Sequence, residues 1–278
     1  MSTVEDDEQD LTRKQRREKA REQRRALEQA EAATAQRRRR LIQLGSVIGV
    51  VVVVVIVIVV ATSGGGGGGG IQKTAASGKT PPAVSEVTAL LNGIPQSATT
   101  LGNPNAPVTM QYYGDLECPV CKDFTLGALP KLIENDVRAG KLKIEYRNLE
   151  TATREPETFR AQQIAAMAAG KQRKGWDYIE LFYHQQGAEN TGYVTEKYLQ
   201  ELAQQVPGLN LATWTSDRGS PQFTNVLTAD AQAANNAGFT GTPSFLIGKT
   251  GQAGQKYEYS SLTDPSGFEA AIDSALKA

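Results

Sequence analysis

Apolar residues divide the chain into four zones. In residues 11–40 only Leu11 and Leu27 are large and apolar, too few to sustain a heptad seam. Residues 44–61 carry no charge, and Val50 to Val60 are exclusively Val and Ile. Counted from Leu41 to Thr62, the run matches the ~20 residues with which a helix crosses a bilayer. β-Branched residues make a poor helix in water, but in lipid the backbone must satisfy itself internally. The pattern therefore predicts a transmembrane helix over 41–62. Ser63 and the unbroken Gly64 to Gly70 follow, then a Lys/Thr/Ala/Ser/Pro mixture, which predicts a flexible linker over 63–90. From residue 91 the periodicities of a folded domain begin.

Within that domain Val108, Met110 and Tyr112 alternate with Thr109, Gln111 and Tyr113, predicting a strand over 107–113. A helix is expected from Cys118-Pro119, since proline suits the first helical position, with Pro130 kinking or ending its first part. Leu142, Ile144 and Tyr146 alternate with Lys143, Glu145 and Arg147 in a second strand. About 95 residues of helical periodicity come next. Ala161, Ile164, Ala165 and Ala168 share one face. Thr195 reads as an N-cap, and Pro207-Gly208 stops that helix. Ser220-Pro221 opens another helix, with Phe223, Val226, Leu227, Ala231 and Ala234 inward. Ser244 to Ile247 reads as a short strand and Tyr257 to Tyr259 as an edge strand. Asp264-Pro265 starts a final helix. The order is β-α-β, helices, β-β-α: an α/β fold with a helical subdomain, about 152–237, inserted into its sheet.

Composition narrows the function classes. The 278 residues are 22% charged and 40% hydrophobic, which excludes a polytopic membrane protein and a wholly disordered chain. Lys+Arg and Asp+Glu balance at 30 each, but residues 1–40 hold 12 basic and 9 acidic residues, leaving 18 and 21 in the rest. The body of the protein is therefore not a basic nucleic-acid binder. Arg37 to Arg40 lie directly before the apolar run, and only Lys73, Lys79 and Glu86 are charged between it and residue 90. The positive-inside rule puts residues 1–40 in the cytoplasm and residues 91–278 outside, as a single-pass protein of the cell membrane. Val59-Val60-Ala61 could suit a signal peptidase, but a 40-residue charged leader argues for an uncleaved anchor. The basic arm is read as a topology signal rather than a lipid-binding element.

The chain has two cysteines and one histidine, which excludes a disulfide-stapled framework and a four-ligand Cys/His zinc site; no metal and no cofactor are expected. Both cysteines fall in Cys118-Pro119-Val120-Cys121, between a predicted strand and helix. Residues three apart share a helix face, so the two sulfurs can approach. The first sits where the helix N-terminus favours a thiolate, and the second lies one turn in. A nucleophile and a resolving thiol are what dithiol–disulfide exchange requires. A purely stabilising disulfide is the weaker reading, because so small a loop removes little unfolded-state entropy. Gly241-Thr242-Pro243-Ser244-Phe245 leads into the next strand, and from local sequence alone Pro243 reads as an ordinary turn proline. His184, Trp176 and Tyr183 in the helical region are read as packing residues.

Tyr112 to Phe124 (YYGDLECPVCKDF), taken with Gly241 to Phe245 (GTPSF), resembles the DsbA-like branch of the thioredoxin family. More specifically it is similar to the membrane-anchored DsbA-like proteins of Gram-positive, often actinobacterial, envelopes, over about residues 88–278. The resemblance implies a thioredoxin fold with a central mixed sheet. It implies Cys118 as the exposed nucleophile and Cys121 as the buried resolving thiol. Pro243 would be a cis-proline facing them, Thr242 would tune the redox properties, and Pro119 and Val120 would be the variable dipeptide. It implies an extracytoplasmic oxidoreductase that forms disulfides in reduced exported proteins and is re-oxidised by a DsbB- or VKOR-type membrane partner. A reductase or isomerase of the same fold, or a non-catalytic binding module, is the alternative. Two departures stand out. Val120 occupies a place where strongly oxidising relatives have histidine. Tyr112 stands six residues before the first cysteine, where many thioredoxin-fold enzymes carry a buried acid. Asp115 and Glu117 are expected to raise the thiol pKa by repulsion.

Overall fold

A computed structural model describes residues 80–278 and Ile71. The predicted membrane helix at 41–62, the charged segment 1–40 and most of the linker lie outside the described residues. Among the described residues no helix is long and apolar enough to cross a membrane.

Six strands form one mixed sheet. Strands β1 (Gln96–Ser97), β2 (Thr100–Leu101), β3 (Val108–Gly114), β4 (Leu142–Asn148), β5 (Ser244–Lys249) and β6 (Gln255–Tyr257) lie in the order β1-β2-β4-β3-β5-β6. β3 and β4 are parallel, and every other neighbouring pair is antiparallel. The two alternating segments read from the sequence are the central parallel pair. Val108, Met110 and Tyr112 stand opposite Leu142, Ile144 and Tyr146, and Met110 and Tyr112 stand opposite Ile247 and Phe245 of β5. With a side-chain period of two, this register puts all of them on one face, where they are buried.

Nine α-helices are found among the described residues, α1 (Pro82–Leu91), α2 (Pro119–Leu126), α3 (Leu129–Leu132), α4 (Pro156–Lys171), α5 (Gly175–His184), α6 (Glu196–Gln205), α7 (Leu211–Asp217), α8 (Gln222–Asn236) and α9 (Ser266–Lys277), and a π-helical turn, Ile133–Val137, continues α3. Phe124 of α2 and Phe268 of α9 close the apolar face of the sheet. Ring centroids lie 5.0 Å apart for Tyr112–Phe124, 4.7 Å for Phe124–Phe245 and 5.1 Å for Phe124–Phe268. Edge-on and tilted pairs of this kind hold rings in fixed mutual orientation, so α2 has one seat on the sheet. Five helices, α4 to α8, fill the interval between β4 and β5.

Several expectations change. The last residues of the predicted linker form α1, which buries Ala83, Val84, Val87 and Leu91. Small apolar residues spaced for a helix were masked there by Ser, Thr and Pro. The long helix breaks at Gly127, not at Pro130, which begins the next helix near its N-terminus. A Cβ on Gly127 would lie 2.7 Å from the carbonyl oxygen of Leu262, so close backbone approach sets the break. The final edge strand is Gln255–Tyr257, two residues earlier than expected. On α8 Ala231 is exposed and Asp230 goes inward, where Asn148 N–H and Nδ2–H and the Arg147 guanidinium meet its carboxylate at 2.9, 2.6 and 2.7 Å. A buried carboxylate with two N–H donors and an ion-pair partner is satisfied, and periodicity alone could not foresee it. The N-cap at Thr195 is present, its hydroxyl accepting from Tyr198 N–H at 3.1 Å.

Candidate active site

The topology gathers three segments at one edge of the sheet. β3 and β4 run in parallel, so the loops leaving them emerge at the same end. β5 runs the other way, so its beginning lies there too, with Ser244 opposite Tyr113. The segment Asp115 to Cys118 therefore lies between Leu149 to Glu155 on one side and Thr242-Pro243 on the other. The Thr242–Pro243 bond is cis.

Cys118 is the N-cap of α2. Its sulfur accepts from the Cys121 backbone N–H at 3.3 Å, and its own N–H donates to Asp115 O at 3.0 Å in a tight turn. Both cysteines are free thiols. Cys121 is completely buried, and Cys118, expected to be exposed, is buried too at 4% exposure because the Thr242-Pro243 segment covers its sulfur; Pro119 and Val120 are exposed beside the pair. Cys118 Sγ donates to Thr242 O at 3.4 Å, and Pro243 is buried behind it. The six residues singled out in the sequence thus meet at one place.

The electrostatics of the two sulfurs diverge. A hydrogen bond from the Cys121 thiol is the main effect lowering the Cys118 pKa to about 7, with the Thr242 side chain and the first-turn N–H groups adding to it against partial burial. Burial pushes the Cys121 thiol well above its ordinary value, and the Cys118 sulfur adds to this. One sulfur is therefore prepared as a nucleophile near neutral pH, and the other holds its proton. Alkylation of Cys118 by iodoacetamide should accordingly show a midpoint near pH 7, measured by mass spectrometry of the reduced chain. Between that pH and about 8.5 the native state holds a thiolate that the unfolded chain still protonates. The unfolded state then binds more protons, so the stability of the reduced form rises with pH through this window, by about 2 kcal/mol. Above it the sign reverses, because Cys121 ionises only on unfolding.

The acids near the pair do not play the expected repulsive part. Asp115 is wholly buried and its carboxylate is used by donors. Oδ1 accepts from Glu117 N–H at 3.1 Å, Thr153 Oγ1–H at 2.6 Å and Gln162 Nε2–H at 3.1 Å. Oδ2 accepts from the N–H groups of Thr151, Ala152 and Thr153 at 3.2, 2.9 and 2.9 Å. Glu117 is buried, which raises its pKa, and it accepts from Asn190 N–H at 3.2 Å.

Beneath Cys121 lie neutral hydroxyls. Tyr112 Oη–H donates to Cys121 O at 3.3 Å and lies 3.2 Å from Thr125 Oγ1 and 3.3 Å from Tyr183 Oη. Tyr183 Oη–H donates to Asp115 O at 3.1 Å, and Tyr146 Oη is 3.4 Å from Tyr183 Oη. Gln186 adds a support that sequence reasoning missed: its Nε2 donates to Leu116 O at 2.7 Å and Cys118 O at 3.1 Å. No local signal marks Gln186, which reaches the loop only because α5 packs beside α2. His184 lies away from this cluster, at the end of α5, with Nδ1 3.7 Å from a Glu86 carboxylate oxygen.

Comparison with known proteins agrees with this geometry. A family model described as Thioredoxin matches residues 96–274. A probable disulfide bond formation protein D of Bacillus cereus is 25% identical over 151 residues, 53% of this chain and 68% of that protein. The disulfide bond formation protein D of Bacillus subtilis is 24% identical over 152 residues, 53% of this chain and 66% of that protein. The crystal structure of oxidised BdbD from Bacillus subtilis superposes with a TM-score of 0.56 at 22% identity, covering 67% of this chain and 97% of that one.

Proposed function

The chain belongs to the thioredoxin family and is a thiol:disulfide oxidoreductase, and from that premise we propose that it forms disulfides in reduced exported proteins outside the cytoplasm. The observation that carries the exchange chemistry is the asymmetry of the pair: Cys118 with a pKa lowered to about 7, over a fully buried Cys121. The direction of electron flow is inferred from relatives named for disulfide bond formation and from the envelope location expected from the charges flanking residues 41–62, since disulfides persist there.

In the oxidised state Cys118 and Cys121 share a disulfide. A substrate thiolate attacks Cys118 Sγ, the sulfur–sulfur bond breaks, and Cys121 leaves with the electron pair and takes up a proton. The Cys118–substrate disulfide is then attacked at the substrate sulfur by a second substrate thiolate. Cys118 leaves as the thiolate that its surroundings favour. The substrate has lost two electrons and two protons, and the dithiol has gained two electrons. A quinone-linked membrane partner of the DsbB or VKOR type takes those electrons and restores the disulfide. Residues 41–62 would anchor the domain in the bilayer near that partner, with residues 1–40 cytoplasmic and the linker raising the effective concentration. Exposed Val120, beside the reactive sulfur, gives an apolar rim for an unfolded chain.

The reduction potential, equilibrated against glutathione buffers with the full chain in detergent, tests the direction. A value between about −180 and −120 mV is expected of an oxidase. A value near about −270 mV would make the protein a reductase that needs an electron supply.

A further inference from the structure

Two hydroxyls that face one another at the rim of the site have no part in the steps above. Thr151 Oγ1, from the loop after β4, lies 2.6 Å from Thr242 Oγ1, before β5. Thr242 borders the reactive sulfur, since its carbonyl accepts from Cys118 Sγ at 3.4 Å. Its side chain is also one of the groups that hold the Cys118 pKa down.

A threonine hydroxyl has one proton to give and lone pairs to accept with. The pair can therefore be joined in two senses with opposite consequences. Where Thr242 donates to Thr151, its single proton is spent away from the sulfur. Where Thr151 donates, Thr242 Oγ1 has accepted, and its own proton is left for another acceptor. A thiolate is a far better acceptor than a neutral hydroxyl, since hydrogen bonds to an ionised partner are roughly twice as strong. Once Cys118 ionises, the second sense is the favoured one.

Thr151 is held for this part. Its N–H and the next two backbone N–H groups all donate to Asp115 Oδ2, while Asp115 O accepts from Cys118 N–H. One buried residue thus ties the Thr151 loop and the Cys118 turn together. The titratable groups that face the Cys118 sulfur are Cys121, on its own helix, and Tyr259, from the segment after β6.

We propose that Thr151 is a positioning residue for the dithiol: its hydroxyl donates to Thr242 Oγ1 and so turns the Thr242 hydroxyl proton toward Cys118 Sγ when that sulfur leaves as a thiolate. The proposal rests on Cys118 being the nucleophile. No proton changes owner, and the relay stabilises the leaving sulfur by hydrogen bonding alone.

The test compares Thr151→Val, which keeps the shape and removes the hydroxyl, with Thr151→Ser, which keeps the hydroxyl. The readouts are the pH midpoint of Cys118 alkylation by iodoacetamide, and thermal unfolding, both on the reduced full chain. In Thr151→Val the midpoint should rise by about half a pH unit, so that about threefold less thiolate is present below it. Thr151→Ser should leave it in place. On a Thr242→Val background, adding Thr151→Val should have no further effect on the midpoint. A midpoint unmoved in Thr151→Val, or moved downward, overturns the proposal, as does a loss of thermal stability with the midpoint unchanged. A wild-type chain with no depressed Cys118 midpoint would instead overturn the reading of the cysteine pair, and the proposal with it.

Discussion

Replacing Cys121 by alanine should turn the protein into a trap: the Cys118 thiolate attacks a disulfide already present in a substrate, one substrate sulfur leaves as a thiolate, and the mixed disulfide through Cys118 accumulates. The buried thiol is the group placed to displace a bound partner from Cys118. It lies one helical turn along, and its side-chain hydrogen bond with the Cys118 sulfur favours the Cys118 thiolate. Without it a mixed disulfide formed at Cys118 loses its exit through the enzyme and persists until a thiolate of the substrate itself or of an added reductant opens it. Alanine at a site with no solvent exposure leaves a small void, which costs about 1 kcal/mol and should not unfold the domain. Cys118→Ser should behave in the opposite way. It should give no covalent species and lose exchange activity by on the order of 10³-fold or more, the scale on which removing a nucleophile acts. Non-reducing electrophoresis with mass spectrometry of the captured partners reads both variants. Equal trapping by Cys118→Ser and Cys121→Ala would reverse or abolish the assigned roles. Full biological activity in Cys118→Ser would favour a binding module.

How much of this was legible in the sequence depended on the range of the interaction. The strands β3 and β4 and the start of α2 are local patterns, written in alternation and in Pro119. The Cys118–Cys121 spacing is equally local. Thr242 and Pro243 reached the site only through the resemblance, because nothing in their neighbourhood says that β5 lies antiparallel to β3. β1 and β2, of two residues each, are too short to show a period. Asp115 was seen and misjudged. As a charge near two thiols it reads as a repulsive neighbour. Three of its six donors are backbone N–H groups of residues 151–153, about 37 positions away, and no side chain there announces them. Thr151 and Gln186 were invisible for the same reason: each is ordinary in its own segment and acquires a role from the parallel crossover or from helix packing.

Asp115→Asn should be among the most destabilising conservative substitutions in the domain. Both carboxylate oxygens act as acceptors, each for three donors, at a site with no solvent exposure. An asparagine amide offers one acceptor and one donor pair, so no rotamer serves both sets. With the amide nitrogen at the Oδ2 position, three backbone N–H groups face a donor. With the amide flipped, the Glu117 N–H, the Thr153 hydroxyl and the Gln162 amide do. Hydrogen bonds to an ionised group contribute about 1.5–3 kcal/mol each, and a buried donor left without an acceptor costs about 1–3 kcal/mol. Relaxation and non-additivity shrink the sum, so the expected loss is about 3–5 kcal/mol. In a domain of this size that is a fall in Tm of roughly 6–20 °C, readable by calorimetry. Glu117→Gln is the control, since the Glu117 carboxylate meets only the Asn190 N–H, at 3.2 Å, and the Thr153 side chain, and glutamine keeps an acceptor. Its loss should stay within about 1 kcal/mol. Because the same carboxylate holds the Thr151 loop beside Thr242, Asp115→Asn should also raise the Cys118 alkylation midpoint in whatever fraction stays folded. A variant with wild-type Tm and midpoint would mean that the loop after β4 holds itself, leaving Asp115 a bystander to the dithiol.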